Sequence, residues 1–236
     1  MSGNDWIAIN GNGSIVVKSC VVPGNIVTDL QAAQVIDDPY WRFNDIEYRW
    51  IALDSWRYEK VFDYPLPLVG QQIVLEFDGL DTIANVSLNG HILGSADNMF
   101  RQWRFDVSNL LLSTSNRLTV AFESAISYVN RQSKLYPYYL PSADDSVQNG
   151  ELLRNYIRKE QCSFSWDWGP GYMQQGIWRP VRLVSQNSCR IRAVAPMILP
   201  NTVARSYHVT THVEVECTGS DSVTALVSVA GSQSTA

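Results

Sequence analysis

The sequence has few basic residues, and it lacks long runs of either basic or apolar residues. Among its 236 residues, 18 are Lys or Arg and 23 are Asp or Glu, which gives a formal net charge of −5. No basic run is longer than the pair Arg158-Lys159. Because a surface that binds a phosphate backbone needs clustered positive charge, we expect no nucleic-acid partner. Uninterrupted apolar runs of roughly 18 residues, the length of a membrane-spanning helix, are absent, so we expect no membrane partner.

Cysteine and histidine are scarce as well. The chain has four cysteines, Cys20, Cys162, Cys189 and Cys217. They are too few and too scattered for a disulfide scaffold or a zinc site, so free thiols and a single disulfide both stay open. His208 and His212 would share one turn of a helix, but the valines around them alternate with a period of two, which predicts a strand. On a strand the two imidazoles lie about 13 Å apart, too far to bind one metal ion.

The familiar catalytic and cofactor motifs are also absent. No G-x-S-x-G, P-loop, H-E-x-x-H or strand-linked G-x-G-x-x-G occurs, so we predict neither a cofactor nor a metal site. The amino-terminal stretch lacks the charged and apolar segments of a secretory signal, and we expect a chain that is not exported. Sequons at Asn12 and Asn85 would be glycosylated only in an exported protein, and motifs this short often arise by chance.

Most of the sequence alternates apolar and polar residues with the period of a β-strand. Such segments cover residues 57–66, 71–80, 82–96, 101–111, 116–125 and 177–186. The dipeptide Asn89-Gly90 predicts a two-residue hairpin turn that joins residues 83–88 to residues 91–94. The best helical spacing lies in residues 22–36, and a further turn or two of helix is expected within residues 142–159. Many short strands separated by turns predict an all-β sandwich or jelly roll.

The pattern changes near residues 186–190. Residues 206–219 and 221–231 alternate as strands, and about three strands are expected in this last part of the chain. A complete immunoglobulin-like sandwich needs about seven strands, so this part is too short to close one. We therefore predict a first domain over residues 1–188 and an incomplete sandwich domain over residues 189–236.

Three tryptophans and one aspartate are concentrated in residues 161–183. Asp167 stands between Trp166 and Trp168, just before a Gly-Pro turn. A carboxylate among bulky aromatic rings is costly to bury unless some group donates hydrogen bonds to it. A sugar site needs this combination, because a ring packs against the C–H face of the sugar and a carboxylate accepts bonds from its hydroxyls. The alternative is that the rings are packing residues and that Asp167 caps the turn.

Three stretches carry motifs that resemble one enzyme family. Residues 157–183 contain R-K-x-Q-C-x-F-x-W-D-W-G-P followed by G-I-W, and residues 22–62 contain V-P-G, D-P-Y, F-N and W-x-Y. Residues 77–111 contain F-x-G-L-D-x-x-A-x-V-x-L-N-G, N-M-F and F-D-V. Through these motifs nearly all of residues 20–185 resembles the amino-terminal region of β-mannosidases of glycoside hydrolase family 2.

The resemblance implies an all-β chain: a galactose-binding-like jelly-roll domain followed by the start of an immunoglobulin-like domain. In this family the acid/base and nucleophile glutamates lie on a (β/α)8 barrel, which needs about 250 residues and is missing here. We therefore expect the chain to be inactive alone, as the amino-terminal part of a β-mannosidase. The alternative is a stand-alone carbohydrate-binding or regulatory fragment without catalysis. Resemblance to animal members implies a lysosomal location.

The resemblance also implies roles for three residues. In family members the jelly roll leans over the mouth of the barrel, and the aspartate of W-D-W-G-P holds hydroxyls of the terminal mannose. By this match Asp167 contacts the substrate, Trp166 forms a wall of the site and Trp168 supports it. The expected partners are a β-mannoside oligosaccharide and the barrel domain of a longer parent chain.

Overall fold

The larger β-sheet contains six antiparallel strands among the residues that the structure describes. This computed structural model describes residues 1–65, 71–141, 150–219, 223–224, 226–229 and 232–235. The strands of the larger sheet are, in spatial order, β2 (Val16–Val22), β1 (Gly3–Asn10), β3 (Trp56–Phe62), β8 (Asn116–Phe122), β5 (Ala84–Leu88) and β6 (His91–Ala96). A three-stranded sheet has the order β7 (Trp103–Asp106), β4 (Gln72–Phe77) and β9 (Val181–Gln186). The predicted all-β class is confirmed.

The alternation in the sequence becomes one buried face of the larger sheet. In β3, β5 and β8 nearly every second residue is buried. Val120 lies opposite Tyr58 on one side and Val86 on the other, and all three side chains are fully buried. Strand β4 differs, because it is buried without interruption from Ile73 to Phe77. Burial of these apolar side chains supplies the main driving force for folding.

The predicted β5–β6 hairpin is present, with its turn at Asn89-Gly90. Both turn residues have positive φ, 53° and 83°, as a type I′ turn requires. The Asn89 side chain fixes the turn further, because its amide donates to the Leu110 carbonyl at 2.7 Å and to Asn116 at 2.9 Å. Its carbonyl oxygen accepts a bond from the backbone N–H of Arg117 at 2.8 Å.

Helices occupy a small part of the chain. Helix α1 (Ile26–Ala32) lies within the predicted range 22–36 and is capped by Asn25, which accepts bonds from two backbone N–H groups of the first turn. Helices α2 (Asn44–Glu47), α3 (Trp50–Leu53) and α4 (Ala125–Leu135) have no counterpart among the predicted segments. The same holds for β1 and β2, because glycine, asparagine and serine interrupt their alternation. None of the described helices is long and apolar enough to span a membrane.

The predicted helical turn within residues 142–159 lies partly outside the described residues, which omit 142–149. A single 3₁₀ turn covers Arg154–Tyr156, and a second covers Gln161–Phe164. These two turns lie just ahead of the Trp-Asp-Trp sequence.

Contacts between residues divide the chain into two units, and the division falls between Val184 and Ser185, with residues 71–73 in the second unit. In the second unit β10 (Cys189–Asn201) pairs with β11 (Ser206–Cys217), and β12 (Leu226–Val229) pairs with β13 (Ser232–Thr235). The predicted domain boundary after residue 188 and the immunoglobulin-like assignment stay predictions.

Strands β10 and β11 contain a disulfide and both of the histidines considered as metal ligands. A disulfide joins Cys189 and Cys217, which lie opposite each other in the β10–β11 pair. Of the two alternatives for the cysteines, the single disulfide is therefore the one present. His208 and His212 both lie on β11, as the period-2 pattern predicts. Cys20 and Cys162 are free thiols.

Candidate functional site

Asp167 and Trp168 form the tip of a two-residue hairpin. The backbone N–H of Trp166 donates to the carbonyl of Gly169 at 3.1 Å, and the N–H of Gly169 donates back to the carbonyl of Trp166 at 3.3 Å. Asp167 is exposed, and the Trp168 side chain is 73% exposed. Trp166 is partly buried at the base. We refer to Trp166–Gly169 as the Trp-Asp-Trp hairpin.

The residue before the hairpin is held in an unfavourable backbone conformation. Ser165 has φ 96° and is almost fully buried. A non-glycine residue in this region persists only where its surroundings over-determine it, and such positions are concentrated at functional sites. Gly150 contributes to this restraint, because a Cβ atom there would lie 2.4 Å from the Cβ of Ser165 and 2.3 Å from the carbonyl oxygen of Phe164. Only glycine fits against the base of the hairpin at this point.

Phe164 anchors the hairpin in the apolar core. Its side chain is 1% exposed. It belongs to a buried cluster whose other members are Ala52, Ala125, Ile126, Val129, Tyr156, Ile157 and Met173. Three of these residues lie on α4. This helix, which the sequence pattern does not predict, therefore belongs to the core that anchors the hairpin. The carbonyl of Phe164 also accepts a bond from the N–H of Glu151 at 2.9 Å.

Arg154 contacts the base of the hairpin. Its side chain is 2% exposed, and its guanidinium carbon lies 4.7 Å from the centroid of the Trp166 ring. The guanidinium also donates to the carbonyl of Ser165 at 3.1 Å. A cation over an indole ring is attracted by its quadrupole, most strongly where both are shielded from water. Trp166 is therefore fixed in place, while Trp168 projects outward.

The chain that leaves the hairpin is anchored by Tyr172. Its hydroxyl donates to the carbonyl of Pro39, and its ring packs edge-on against Tyr40 with centroids 5.7 Å apart. Burial raises the pKa of Tyr172 to about 12, with the nearby Asp45 carboxylate adding to the shift. The phenol therefore stays protonated and keeps its donor role throughout the physiological pH range.

A cavity of about 260 Å³ lies beside residues 159–165 and 170–176, which lead into and out of the hairpin and which we call its two arms. Its lining residues are Pro23, Gly24, Asn25, Asp81, Met99, Glu160, Gln174 and Trp178. Trp178, the third tryptophan of the motif, donates its indole N–H to the carbonyl of Met99 at 3.2 Å. This tryptophan therefore belongs to the cavity wall, away from the hairpin tip.

Other candidate positions lie apart from this site. Asn12 is exposed in the turn between β1 and β2, and Asn85 is exposed on β5, where its side chain accepts a bond from Ser95 at 2.7 Å. Glycosylation of either stays a prediction. Among the described residues, no group of three or more His, Cys, Asp or Glu side chains is placed to hold a metal ion.

The structure places Asp167, Trp166 and Trp168 in one hairpin. Their roles as substrate contacts stay predictions. The supporting role of Arg154 and Phe164 was not predicted: Phe164 lies in the R-K-x-Q-C-x-F-x-W-D-W-G-P motif but has no signal that distinguishes an anchor from ordinary packing, and Arg154 lies outside the quoted motifs. The one usable signal is a cationic residue close in sequence to a run of aromatics, which favours cation–π contact.

Residues 6–179 match a family model described as glycosyl hydrolase 2 galactose-binding domain-like. The chain belongs to this family. Membership confirms the resemblance of the motifs and the galactose-binding-like character of the first domain. The match ends just before β9, so it covers the whole hairpin and its supporting residues.

Individual relatives agree with the family. A β-mannosidase of Mus musculus is 38% identical over 233 residues, which is 98% of this chain and 26% of the mouse protein. A β-mannosidase of Rattus norvegicus is 44% identical over 185 residues, 77% of this chain and 21% of the rat protein. The crystal structure of β-D-mannosidase from Dictyoglomus thermophilum superposes with a TM-score of 0.81 at 31% identity, over 91% of this chain and 26% of that one. The chain thus spans about a quarter of the length of the relatives it matches.

Proposed function

We propose that this chain is the amino-terminal part of a β-mannosidase that removes terminal, non-reducing β-D-mannose residues from oligosaccharides of glycoproteins. The observation that carries the proposal is the Trp-Asp-Trp hairpin, whose tip is exposed while its base is locked in the core. The names of the mouse, rat and Dictyoglomus relatives support the substrate class. In this proposal the chain binds substrate, and the catalytic carboxylates belong to a barrel domain elsewhere in the parent protein.

The chemistry of the tip suits a sugar. The Asp167 carboxylate accepts hydrogen bonds from neighbouring hydroxyls, and charge makes such bonds stronger than neutral ones. An indole ring offers an apolar face to the C–H groups of the sugar. Exposure favours Trp168 as the ring that a sugar contacts, since Trp166 already packs against Arg154. The resemblance implies that Trp166 forms the wall of the site and Trp168 supports it. We propose the reverse.

The rigid base has a role in this scheme. Retaining glycosidases cleave through two carboxylates about 5 Å apart, so the sugar ring must be held accurately between them. A contact on a loop contributes to rate only if the loop stays in place. The buried Ser165, Phe164 and Arg154 supply that fixed position without touching the sugar.

A chimera tests the proposal. Residues 1–236 would replace the matching quarter of mouse β-mannosidase, with the mouse protein lacking that quarter as the control. We expect the chimera to hydrolyse a chromogenic β-mannoside and the truncated control to be inactive. A folded chimera without activity would contradict the proposal.

Titration of the isolated chain tests the alternative function. As part of an enzyme, the hairpin makes only some of the contacts to mannose, so the chain alone should bind a β-mannoside too weakly to detect by calorimetry. Tight binding by the isolated chain, together with an inactive chimera, would favour a stand-alone carbohydrate-binding fragment.

A further inference from the structure

An ion pair is buried between the two arms of the Trp-Asp-Trp hairpin and the sandwich. The Lys159 ammonium contacts the Asp81 carboxylate, and the two side chains are 0% and 1% exposed. The ammonium also donates to the backbone carbonyl of Gln174 at 2.9 Å. Thr82 donates its hydroxyl to the other carboxylate oxygen of Asp81. Buried charges of this kind are found paired, because an isolated one is very costly to desolvate.

The pair joins three segments of the chain. Lys159 lies on the arm that leads into the hairpin, and Gln174 lies on the arm that leaves it. Asp81 lies in the loop between β4 and β5, and its backbone N–H and carbonyl both bond to Gly176 at 3.0 Å. One ammonium group and one carboxylate therefore connect both arms to the sandwich.

A second bridge runs between the arms next to this pair. The Gln174 amide donates to the Glu160 carboxylate at 2.8 Å. The same carboxylate oxygen accepts a bond from the Ser163 hydroxyl at 2.8 Å, which ties it to the 3₁₀ turn before the hairpin. The arms are thus linked by polar contacts of defined direction, in contrast to the non-directional packing around Phe164.

The energetics of buried pairs indicate what this one does. Replacing a buried ion pair by apolar residues of similar volume is often neutral or stabilising, so such a pair is a poor source of net stability. Its directional contacts can instead select one arrangement of the groups they join. Apolar packing alone would tolerate a shift of the arms, whereas one ammonium with two fixed acceptors does not.

We propose that Asp81 and Lys159 are positioning residues that hold both arms of the Trp-Asp-Trp hairpin against the sandwich and thereby fix where Asp167 and Trp168 point. The consequence for catalysis rests on the proposed function. The effect on the hairpin itself does not, and it can be measured in this chain without substrate.

Fluorine NMR of the chain labelled with 5-fluorotryptophan reads out the hairpin directly. The chain has eight tryptophans, and the Trp166→Phe and Trp168→Phe variants assign the two hairpin resonances. In Asp81→Asn we expect both hairpin lines to shift and to broaden or split. The lines of Trp6 and Trp56, which are at most 1% exposed in the core, should stay unchanged.

A matched control separates positioning from loss of stability. Val120→Ala removes core packing in β8, outside the buried cluster that contains Phe164, and lowers the melting temperature. It should leave the Trp166 and Trp168 lines unchanged. Hairpin lines that stay unchanged in a folded Asp81→Asn protein, or that change equally in Val120→Ala, would overturn the proposal.

The double variant Asp81→Asn/Lys159→Met covers the case in which Asp81→Asn does not fold. It removes both charges and the bond to Gln174 while keeping similar volume, so we expect a folded core with altered hairpin lines. Failure of both variants to fold would show that the pair serves global folding, and this result also counts against the proposal.

Kinetic measurements on the mouse chimera test whether the position of the hairpin affects kcat/KM. If Asp81 acts through Asp167, Asp81→Asn should lower kcat/KM by about 10-fold or more, because small displacements of a substrate contact are costly. Combined with Asp167→Asn it should add little further loss, since the two changes affect one interaction. Additive losses would overturn the link to Asp167. An inactive chimera with altered NMR lines would count against the proposed function alone.

Discussion

The guanidinium of Arg154 lies 4.7 Å from the ring of Trp166 and donates to the carbonyl of Ser165 at 3.1 Å. One buried cation thus contacts both the ring and the backbone at the base of the hairpin. Its counterpart on the surface is Arg101, whose guanidinium lies 4.6 Å from the ring of Trp103. The two contacts have similar distances, and their arginines differ in burial, since Arg154 is buried and Arg101 is exposed.

Arg154→Met should therefore destabilise the chain more than Arg101→Met. A shielded cation–π contact and a charge-assisted hydrogen bond together make a loss of about 2 to 4 kcal/mol the expected cost for Arg154. The exposed pair should cost about 0.5 to 1 kcal/mol. Urea unfolding of the two variants measures the difference. Equal losses would mean that burial adds nothing to the Arg154 contact.

Phe164→Ala tests the anchor of the hairpin. Truncating a fully buried phenylalanine costs about 3 to 5 kcal/mol, because apolar contacts are lost and a cavity remains. Phe100→Ala is the matched control, since that side chain is 64% exposed and should change the free energy of unfolding by about 0.5 kcal/mol or less. Similar unfolding curves for the two variants would contradict the anchoring role of Phe164.

Thiol chemistry should distinguish the two free cysteines. Cys20 is 1% exposed, and burial, aided by the Asp29 carboxylate, raises the pKa of its thiol to about 12. Because the thiolate is the reactive species, Cys20 should resist alkylation at neutral pH, whereas the exposed Cys162 should react. Mass spectrometry after treatment with iodoacetamide should show one modified thiol in the native chain and two in unfolded, non-reduced chain. Modification of native Cys162→Ser protein would contradict this account.

Asp29 should make stability fall with rising pH. Its side chain is 4% exposed, and burial raises the pKa of its carboxyl in the folded state despite bonds from the Val21 N–H and the Tyr58 hydroxyl. The folded state then retains a proton that the unfolded state loses above about pH 3.9. The stability contributed by the protonated group is lost as pH rises through the folded-state pKa.

The Asp29→Asn variant isolates this contribution. The free energy of unfolding of the unaltered chain minus that of the variant should shrink from about pH 4 upward and then level off. Urea titrations at a series of pH values measure it. A difference that grows with pH would mean that the carboxyl is stabilised in its charged form.

The strands were predictable from sequence where one face alone is buried. In β3, β5 and β8 the alternation maps directly onto burial, and Asn89-Gly90 marks its turn because few other residues accept two positive φ angles in succession. Helix α4 was not predictable, since only Ala125, Ile126 and Val129 of it are buried and most of the rest is polar. Its place depends on packing against distant residues such as Phe164.

The same contrast between local sequence pattern and long-range packing applies to the site. The three residues of the hairpin could be named in advance because they lie in the family motif, but the turn falls at Asp167 and Trp168 and not at the Gly-Pro pair that the sequence indicates. Asp81 and Lys159 are 78 positions apart, and a pairing over that distance is determined by the fold and not by any local pattern. The strained backbone of Ser165 is likewise a product of its buried surroundings.

Asp167→Asn in the mouse chimera tests the proposed sugar contact of Asp167. The change keeps size and removes charge, so a carboxylate that accepts bonds from a sugar hydroxyl should lose about 1.5 to 3 kcal/mol of transition-state binding. We expect kcat/KM to fall about 10- to 100-fold with little change in melting temperature. Asp63→Asn is the control, because Asp63 caps a turn by accepting a bond from the N–H of Ser115 at 2.7 Å, and it should leave kcat/KM unchanged. An Asp167→Asn chimera with unaltered kcat/KM and a lowered melting temperature would contradict the sugar contact and make Asp167 a turn cap like Asp63.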